Sequence, residues 1–302
     1  MKKLSFLIIN YFTSEYVKDL VKSINENILK FEYEILIYDN SCNKDEWNKI
    51  KLLGSNQIFT FISGENIGFV KGNNLLLDIA KGDIIVLVNP DTMLIDRSLE
   101  YLFDYISENA DIAAAGPMLL NKDLTYQVSF FKFPNLRSLF LEHILLFPNN
   151  AYAYKTDINK MQYCDVVKGA CIILNKEFLK NGQIFDEDFT MYSEETELCL
   201  RIKASNKKVL YYPRARIIHY GEKSSSKKFA TEYSLFHYYR SKLILFQKYY
   251  KKYKMYLAQI ILFSSLIEKT IILYLFNKRE SSIIHLNVYK KLRKNAKDLS
   301  NL

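Results

Sequence analysis

The chain has 302 residues, 49% of them hydrophobic and 25% charged, with only 9 glycines and 5 prolines; this excludes collagen-like, low-complexity and disordered classes and leaves a globular protein large enough for a full core. Four cysteines, Cys42, Cys164, Cys171 and Cys199, lie far apart without a C-x-x-C pair, which argues against a disulfide scaffold or a Cys-based zinc site and fits a reducing cytoplasm. The net charge of +9 is uneven: Lys227 to Leu302 holds 16 Lys/Arg against 4 Asp/Glu, while residues 1–226 hold 26 against 29, unlike a nucleic-acid binder with charge spread through its body.

Met1-Lys2-Lys3 followed by Leu4 to Ile9 imitates a signal peptide, but the apolar run is too short for an h-region and no small-residue cleavage site follows. It is expected to be a first buried strand. Apolar runs then alternate with amphipathic stretches: Ser14 to Lys30, Glu34 to Asp39, Asp45 to Leu53, Ile58 to Ile62, Val70 to Ala80 and Ile84 to Val88. That alternation predicts an α/β fold, and the nearly continuous runs at Leu4 and Ile84 predict parallel strands covered on both faces. Polar residues stand at the strand exits, namely Asn10-Tyr11, Asp39-Asn40-Ser41, Ser63 to Asn66 and Asn89-Pro90-Asp91, where ligands of such sheets collect.

A helix over about Ser98 to Asn109 leads to Ile112 to Leu119 and an aromatic stretch from Tyr126 to Tyr163 with a loop signal at Phe147 to Asn150. Val166 to Leu174, a helix over Lys176 to Asn181, an ordered run from Phe185 to Tyr192 and a helix over Glu195 to Ala204 follow. Val209 to Pro213 and Ile217 to His219 have the pattern of two short strands, and Gly221 to Lys228 that of a polar loop. Helix dominates from Phe229. Met255 to Phe276 is long enough to cross a bilayer, but Glu268 and Lys269 inside it favour an interfacial or docking helix. The basic, aromatic tail suits either the headgroup region of an anionic membrane or a helical extension packed on the body with a solvated lysine face.

Several residue groups can carry chemistry, each with a structural alternative. Asp39 can accept hydrogen bonds from a ribose or base, or form an Asx turn or helix cap. Gly64 to Asn74 holds three glycines and three asparagines in eleven residues, enough to bring backbone N–H groups to a ligand or simply to make a loop. Asp91 ends the most apolar strand, where a carboxylate can hold Mg²⁺ or Mn²⁺ or a turn can form. Glu194, Glu195 and Glu197 open a helix, either as acids matched to its dipole, with Glu197 paired to Arg201, or with one of them as a general base. His219 follows a strand as a structural residue or a ligand.

In order, these segments resemble the inverting family 2 glycosyltransferases of the GT-A fold, particularly the branch with bacterial rhamnosyltransferases of cell-surface polysaccharides. The resemblance covers about Leu4 to Ser226. It rests on Asn10-Tyr11, Asp39-Asn40-Ser41, Asn66-x-Gly68-Phe69 with Gly72-Asn73-Asn74, Asn89-Pro90-Asp91, Gly169-Ala170, Glu194-Glu195-Thr196-Glu197-Leu198-Cys199-Leu200-Arg201, and Pro213 with His219-Tyr220-Gly221 and Ser224.

The resemblance implies an α/β, Rossmann-like GT-A (nucleotide-diphospho-sugar transferase) fold with a basic helical C-terminal extension. Residues 1–96 would form the nucleotide-sugar half, 97–226 the acceptor half and 227–302 the extension. Asn10, Tyr11, Asp39, Asn66, Gly68 and Asn74 would bind the donor nucleotide; Asp91 and His219 would hold a divalent metal, Mg or Mn. Gly169, Ala170 and Glu194 would face the sugars, and Glu195 would be the catalytic base. Glu195 and Glu197 stand where the family usually has Asp. The implied function is inverting transfer from a UDP- or dTDP-sugar to a saccharide or lipid-linked acceptor, by an enzyme peripheral on the inner face of the cell membrane, with no nucleic-acid partner. A non-catalytic nucleotide-sugar-binding or complex-organising protein is the alternative. A nucleotidyltransferase is disfavoured because no glycine follows the first strand, and a processive synthase because at most one span is present.

Overall fold

The computed structural model describes residues 2–145, 152–154, 156–179, 182–221 and 232–299, with the side chains of 295–299 excepted. The Phe147 to Asn150 loop, most of the Gly221 to Lys228 loop and Ser224 lie outside the described residues. The chain forms two compact units: Met1–Phe131, Tyr154–Glu187 and Glu195–Ser224 in the first, and Lys132–Ala153, Asp188–Glu194 and Ser225–Leu302 in the second.

The first unit is built on a ten-stranded mixed sheet. Its parallel part comprises β1 (Leu4–Asn10), β2 (Tyr33–Asp39), β3 (Ile58–Ile62) and β4 (Ile84–Val88), in the order β3-β2-β1-β4. All residues of β1 and β4 are buried, as expected of strands covered on both faces. The crossovers α1 (Ser14–Asn27), α2 (Lys44–Lys51) and α3 (Gly68–Ile79) join them. α1 buries Val17, Leu20, Val21 and Ile24, the stripe that a 3.6-residue period directs at the sheet. It stops at Asn27 rather than Lys30 because the buried Glu100 carboxylate accepts the N–H groups of Leu29 and Lys30 at 2.8 and 2.6 Å. Asn43 caps α2, its side chain accepting from the N–H groups of Asp45 and Glu46.

Beyond β4 the sheet changes sense. β5 (Thr92–Leu94), α4 (Ser98–Glu108), β6 (Ile112–Leu120), β7 (Tyr126–Gln127) and β8 (Phe130–Phe131) come next in this unit, then β9 (Gln162–Tyr163), β10 (Val166–Val167), β11 (Cys171–Asn175) and β12 (Lys208–His219). β11 lies antiparallel between β4 and β6, β12 runs parallel to β6, and β5 closes the edge antiparallel to β12. The expected Val166 to Leu174 block is split at Lys168-Gly169-Ala170, because β10 pairs with β8 in a separate two-stranded sheet. Where a helix over Lys176 to Asn181 is expected, a 3-10 turn, Lys176–Leu179, forms, and residues 180 and 181 lie outside the described residues. The two short strands expected at Val209 and Ile217 are one strand with a register break between Tyr212 and Arg216. Pro213, which has no N–H to give to the ladder, sits in that break.

The second unit contains α5 (Leu136–His143), α7 (Glu232–Tyr249), α8 (Lys252–Leu275) and α9 (Arg279–Leu299); α6 (Glu194–Ala204) begins at its boundary and runs in the first unit. Leu139, Tyr239, Leu243, Phe246, Leu262 and Val288 form its apolar core. A partly buried polar group adjoins it: Glu142 accepts from the hydroxyls of Tyr152 and Tyr238 and from Lys242 Nζ at 3.0 Å. Burial alone would push the Glu142 carboxyl up, but His143, Lys242 and Tyr152 together hold it well below the usual carboxylate range.

A close contact of Ser5, Glu34 and Gly82 helps to hold the amino-terminal end of the parallel sheet. Ser5 Oγ donates to Glu34 Oε1 at 2.7 Å and accepts the Gly82 N–H at 2.8 Å. A Cβ on Gly82 would lie 2.5 Å from the Ser5 nitrogen and 2.6 Å from the Leu4 carbonyl carbon, both backbone atoms. Gly82→Ala is therefore expected to lower unfolding stability by ~1–3 kcal/mol, as for an overpacked site. Urea unfolding followed through Trp47, the single tryptophan, which packs on this core, measures it; an unchanged midpoint would mean the β1–β4 edge yields freely.

Candidate functional site

The carboxyl ends of β1, β2 and β4 place Asn10, Asp39 and the Asn89-Pro90-Asp91 turn at one edge of the sheet. Asp39 is fully buried; its Oδ1 accepts from Asn10 Nδ2 at 2.8 Å and from the Ser41 N–H at 3.1 Å, and its Oδ2 from Ser41 Oγ at 2.9 Å. The Asx turn considered from sequence is thus formed, while the cap of α2 is Asn43. Three donors leave one of the four acceptor positions of the carboxylate open. Asn10 also accepts from the Thr13 N–H and hydroxyl through Oδ1, so its amide is spent in holding the strand exit. Asn74 is likewise engaged: it donates to the Phe185 carbonyl at 2.9 Å and accepts the Phe185 N–H at 3.1 Å. These two amides position backbone and leave little for a ligand.

The glycine- and asparagine-rich loop contributes differently. Asn66 Oδ1 accepts the Gly68 N–H at 2.9 Å, and Gly68 has φ +83° with no atom within 4 Å of where a Cβ would stand. Backbone conformation, not crowding, requires glycine there. Tyr11 is half-buried and stands edge-on to Phe12, a non-glycine residue at φ +56°.

β12 brings His219 to Asp91. His219 pairs with Thr92 in the β12–β5 ladder, and the Tyr220 N–H donates to the Asp91 carbonyl at 2.9 Å. His219 Nε2 then lies 3.6 Å from Asp91 Oδ1, which is buried and accepts no hydrogen bond. His219 Nδ1 is 2.6 Å from Gln127 Oε1. Since an amide oxygen only accepts, the Nδ1–H donates and the Nε2 lone pair is left facing Asp91. Burial lowers the His219 pKa, against the pull of Asp91. An orphaned carboxylate oxygen opposite an imidazole lone pair is a donor set suited to a divalent cation. No cluster of three or more His, Cys, Asp or Glu ligands occurs among the described residues, so such a cation would take its remaining ligands from substrate and water.

Sequence reasoning missed Gln127 and the side chain of Lys168. Gln127 Oε1 also accepts from Lys168 Nζ at 3.2 Å, and its Nε2 donates to the His219 carbonyl at 3.2 Å and to Asn121 Oδ1 at 3.0 Å. Burial lowers the Lys168 pKa while Glu195 and Asp91 raise it, so the ammonium shares its surroundings with both acids. Only Lys168, next to the Gly-Ala pair, gave a sequence signal; Gln127 lay in the aromatic stretch.

Glu195 is half-buried in the first turn of α6, beside Gly169, where a Cβ would be 3.8 Å from the Cβ and Cδ of Glu195. Ala170 is buried and its carbonyl accepts the Asn89 N–H at 2.9 Å. Glu197 is fully buried and pairs with Arg201 through Nε at 2.7 Å and Nη2 at 3.0 Å, while Arg201 also donates to the carbonyls of Gln183 and Ile184. The structural alternative accounts for Glu197. Glu194 precedes Glu195 in the chain, and just before it Tyr192 and Ser193 both have positive φ, 67° and 64°, strain of the kind found at functional sites.

Solved structures with this architecture include the mannosyltransferase PcManGT from Pyrobaculum calidifontis in complex with GDP-Man and Mn2+, which superposes with a TM-score of 0.55 over 96% of this chain and 86% of that one at 11% identity. The fold is the GT-A fold of glycosyltransferases. The model of glycosyl transferase family 2 matches residues 5–179, and the chain belongs to that family. Rhamnosyltransferase WbbL of Escherichia coli (strain K12) is 26% identical over 256 residues, 79% of this chain and 93% of its own. N-acetylglucosaminyl-diphospho-decaprenol L-rhamnosyltransferase of Mycobacterium tuberculosis is 24% identical over 161 residues, 51% of this chain and 52% of its own.

Replacing Gln127 by Leu leaves the buried His219 Nδ1–H without its acceptor. The expected result is a loss of ~1–3 kcal/mol of stability and a shift in the His219 tautomer balance, seen in the ¹⁵N resonances of its ring. Unchanged ring resonances would show that Gln127 does not set the tautomer.

Proposed function

We propose that this sugar transferase moves a hexosyl or rhamnosyl unit, with inversion, from a UDP- or dTDP-linked sugar to a saccharide or lipid-linked acceptor in cell-surface polysaccharide synthesis. The observation that carries the proposal is the buried, undonated Asp91 Oδ1 facing the lone pair of His219 Nε2 at 3.6 Å. Two acceptors facing one another repel unless a cation joins them, and Asp91 and His219 would hold Mg²⁺ or Mn²⁺. When bound, that ion supplies Lewis-acid stabilisation of the charge developing on the nucleotide diphosphate. The Mn²⁺ in the Pyrobaculum relative supports this.

The chain's own groups do the rest. Lys168 adds a positive charge beside Asp91, where the diphosphate would leave. Glu195 takes the proton of the acceptor hydroxyl as its oxygen bonds to the anomeric carbon and the bond to the leaving phosphate oxygen breaks. A single displacement inverts the centre and needs no sugar–enzyme intermediate. Tyr11, Asn66, Gly68 and the open acceptor position of Asp39 would receive the nucleoside, with Asn10 and Asn74 holding their supports. Gly169, Ala170 and Glu194 would border the sugars. In this scheme residues 1–96 serve the donor, 97–226 the acceptor, and 227–302 a peripheral location on the cytoplasmic membrane face. The described relatives are sugar transferases and do not favour the non-catalytic alternative.

Nucleotide release from UDP- and dTDP-sugars with Mn²⁺, with and without acceptor, tests the scheme. Asp91→Ala should abolish turnover and the metal-dependent part of nucleotide diphosphate affinity. Glu195→Gln should keep donor affinity and lower the rate by ~10²-fold or more, as for loss of a general base. Full turnover by Glu195→Gln, with Glu194→Gln inactive, would move the base by one residue.

A further inference from the structure

The helix α8 is apolar on two opposite faces. On one, Ala258, Leu262, Ser265 and Leu266 are fully buried in the core shared with α7 and α9. Lys269 projects from the same side, and its Nζ donates to the Tyr239 hydroxyl at 3.3 Å. On the other, Tyr256, Ile260, Ile267, Ile271, Tyr274 and Leu275 are each 44% or more exposed. At 100° per residue they form one stripe along the helix. The stripe itself carries no charged side chain, and the half-buried Glu268 borders it. Cationic residues bracket it: Lys251 and Lys252 are exposed before it, and Lys278 and Arg279 after it. From Lys251 to Lys294 the chain has ten Lys/Arg and two Asp/Glu.

We infer that the exposed stripe of α8 is a lipid-contacting face that lies flat in the headgroup region of an anionic membrane and does not cross it. Tyrosines near both ends suit the boundary between headgroups and acyl chains, and the bracketing cations complement anionic lipid. A crossing helix would have to give up the packed face and carry Lys269 away from Tyr239 into hydrocarbon. A second copy of the chain is a poorer occupant: both ends of the stripe are positive, so pairing in either direction sets like charges together. The inference rests on the transferase reading only for what the surface presents, a lipid-linked acceptor, and not for the contact itself.

The test uses the full chain and sedimentation with vesicles of phosphatidylcholine, with or without phosphatidylglycerol. The wild type should bind the anionic vesicles and be released by alkaline carbonate. The double variant Ile260→Asp, Ile271→Asp changes only exposed positions and should lose at least ~10-fold in binding, with its helical circular dichroism unchanged. Equal binding by the variant would overturn the inference, as would retention of the wild type through carbonate, the mark of a span. So would a variant that turns a dimer into a monomer while still binding vesicles. Nucleotide release with a soluble acceptor, measured without vesicles, tests the transferase reading separately: vesicle binding without release would sink that reading and leave the lipid face standing.

Discussion

The antiparallel ladder between β5 and the end of β12 is the constraint on which the site depends. Asp91 and His219 lie far apart in the chain, and the pairing of His219 with Thr92 and of the Tyr220 N–H with the Asp91 carbonyl sets them side by side. Neither residue could be aimed by its own strand alone. β12 must pass the Pro213 break and regain register with β6 at Arg216 before it reaches β5, so packing well inside the sheet decides the geometry at its rim. Gln127 then converts position into chemistry, because its amide oxygen determines which imidazole nitrogen keeps a lone pair.

The parallel half of the fold was legible because its signals are local. Leu4 to Ile9 and Ile84 to Val88 are continuous apolar runs, and their exits are polar whatever the rest of the chain does. Limits that depend on distant partners were not legible. α1 ends early because Glu100, more than seventy residues away, takes the N–H groups of Leu29 and Lys30, and Val166 to Leu174 is divided because β10 finds β8. The same distinction runs through the site. Asp91, His219 and Glu195 stand in ordered motifs, whereas Gln127 has no pattern around it and is recognisable only from what it touches. Asn10 and Asn74 show the converse: their motif positions pointed to a ligand, yet each amide is engaged with the protein itself.

The C-terminal segment carries its own core, and the two alternatives left open by its composition concern different faces of one helix. The docked face of α8 is made of small and aliphatic residues that fit against Tyr239, Phe246 and Val288. The opposite face is also apolar and is largely exposed among the described residues. Half-buried beside that core, Glu142 stays ionised in company with Lys242, two tyrosine hydroxyls and His143. Such a group is costly to break once formed, since removing one member strands the others in a low-dielectric interior.

The two ends of the parallel strands differ in how completely their polar groups are matched. At the amino end, Ser5, Glu34 and Gly82 satisfy one another with no room for an added methyl group. At the carboxyl end, Asp91 keeps an unmatched oxygen and Phe12 holds an unfavourable backbone angle. Unmatched groups thus stand at the rim that carries the site, with a well-matched anchor at the other. A chain arranged in this way can tolerate substitutions around the rim, where new donors or acceptors would be recognised, because the energy that keeps the strands together is invested elsewhere. Divergence in specificity then needs little compensating change in the body of the protein.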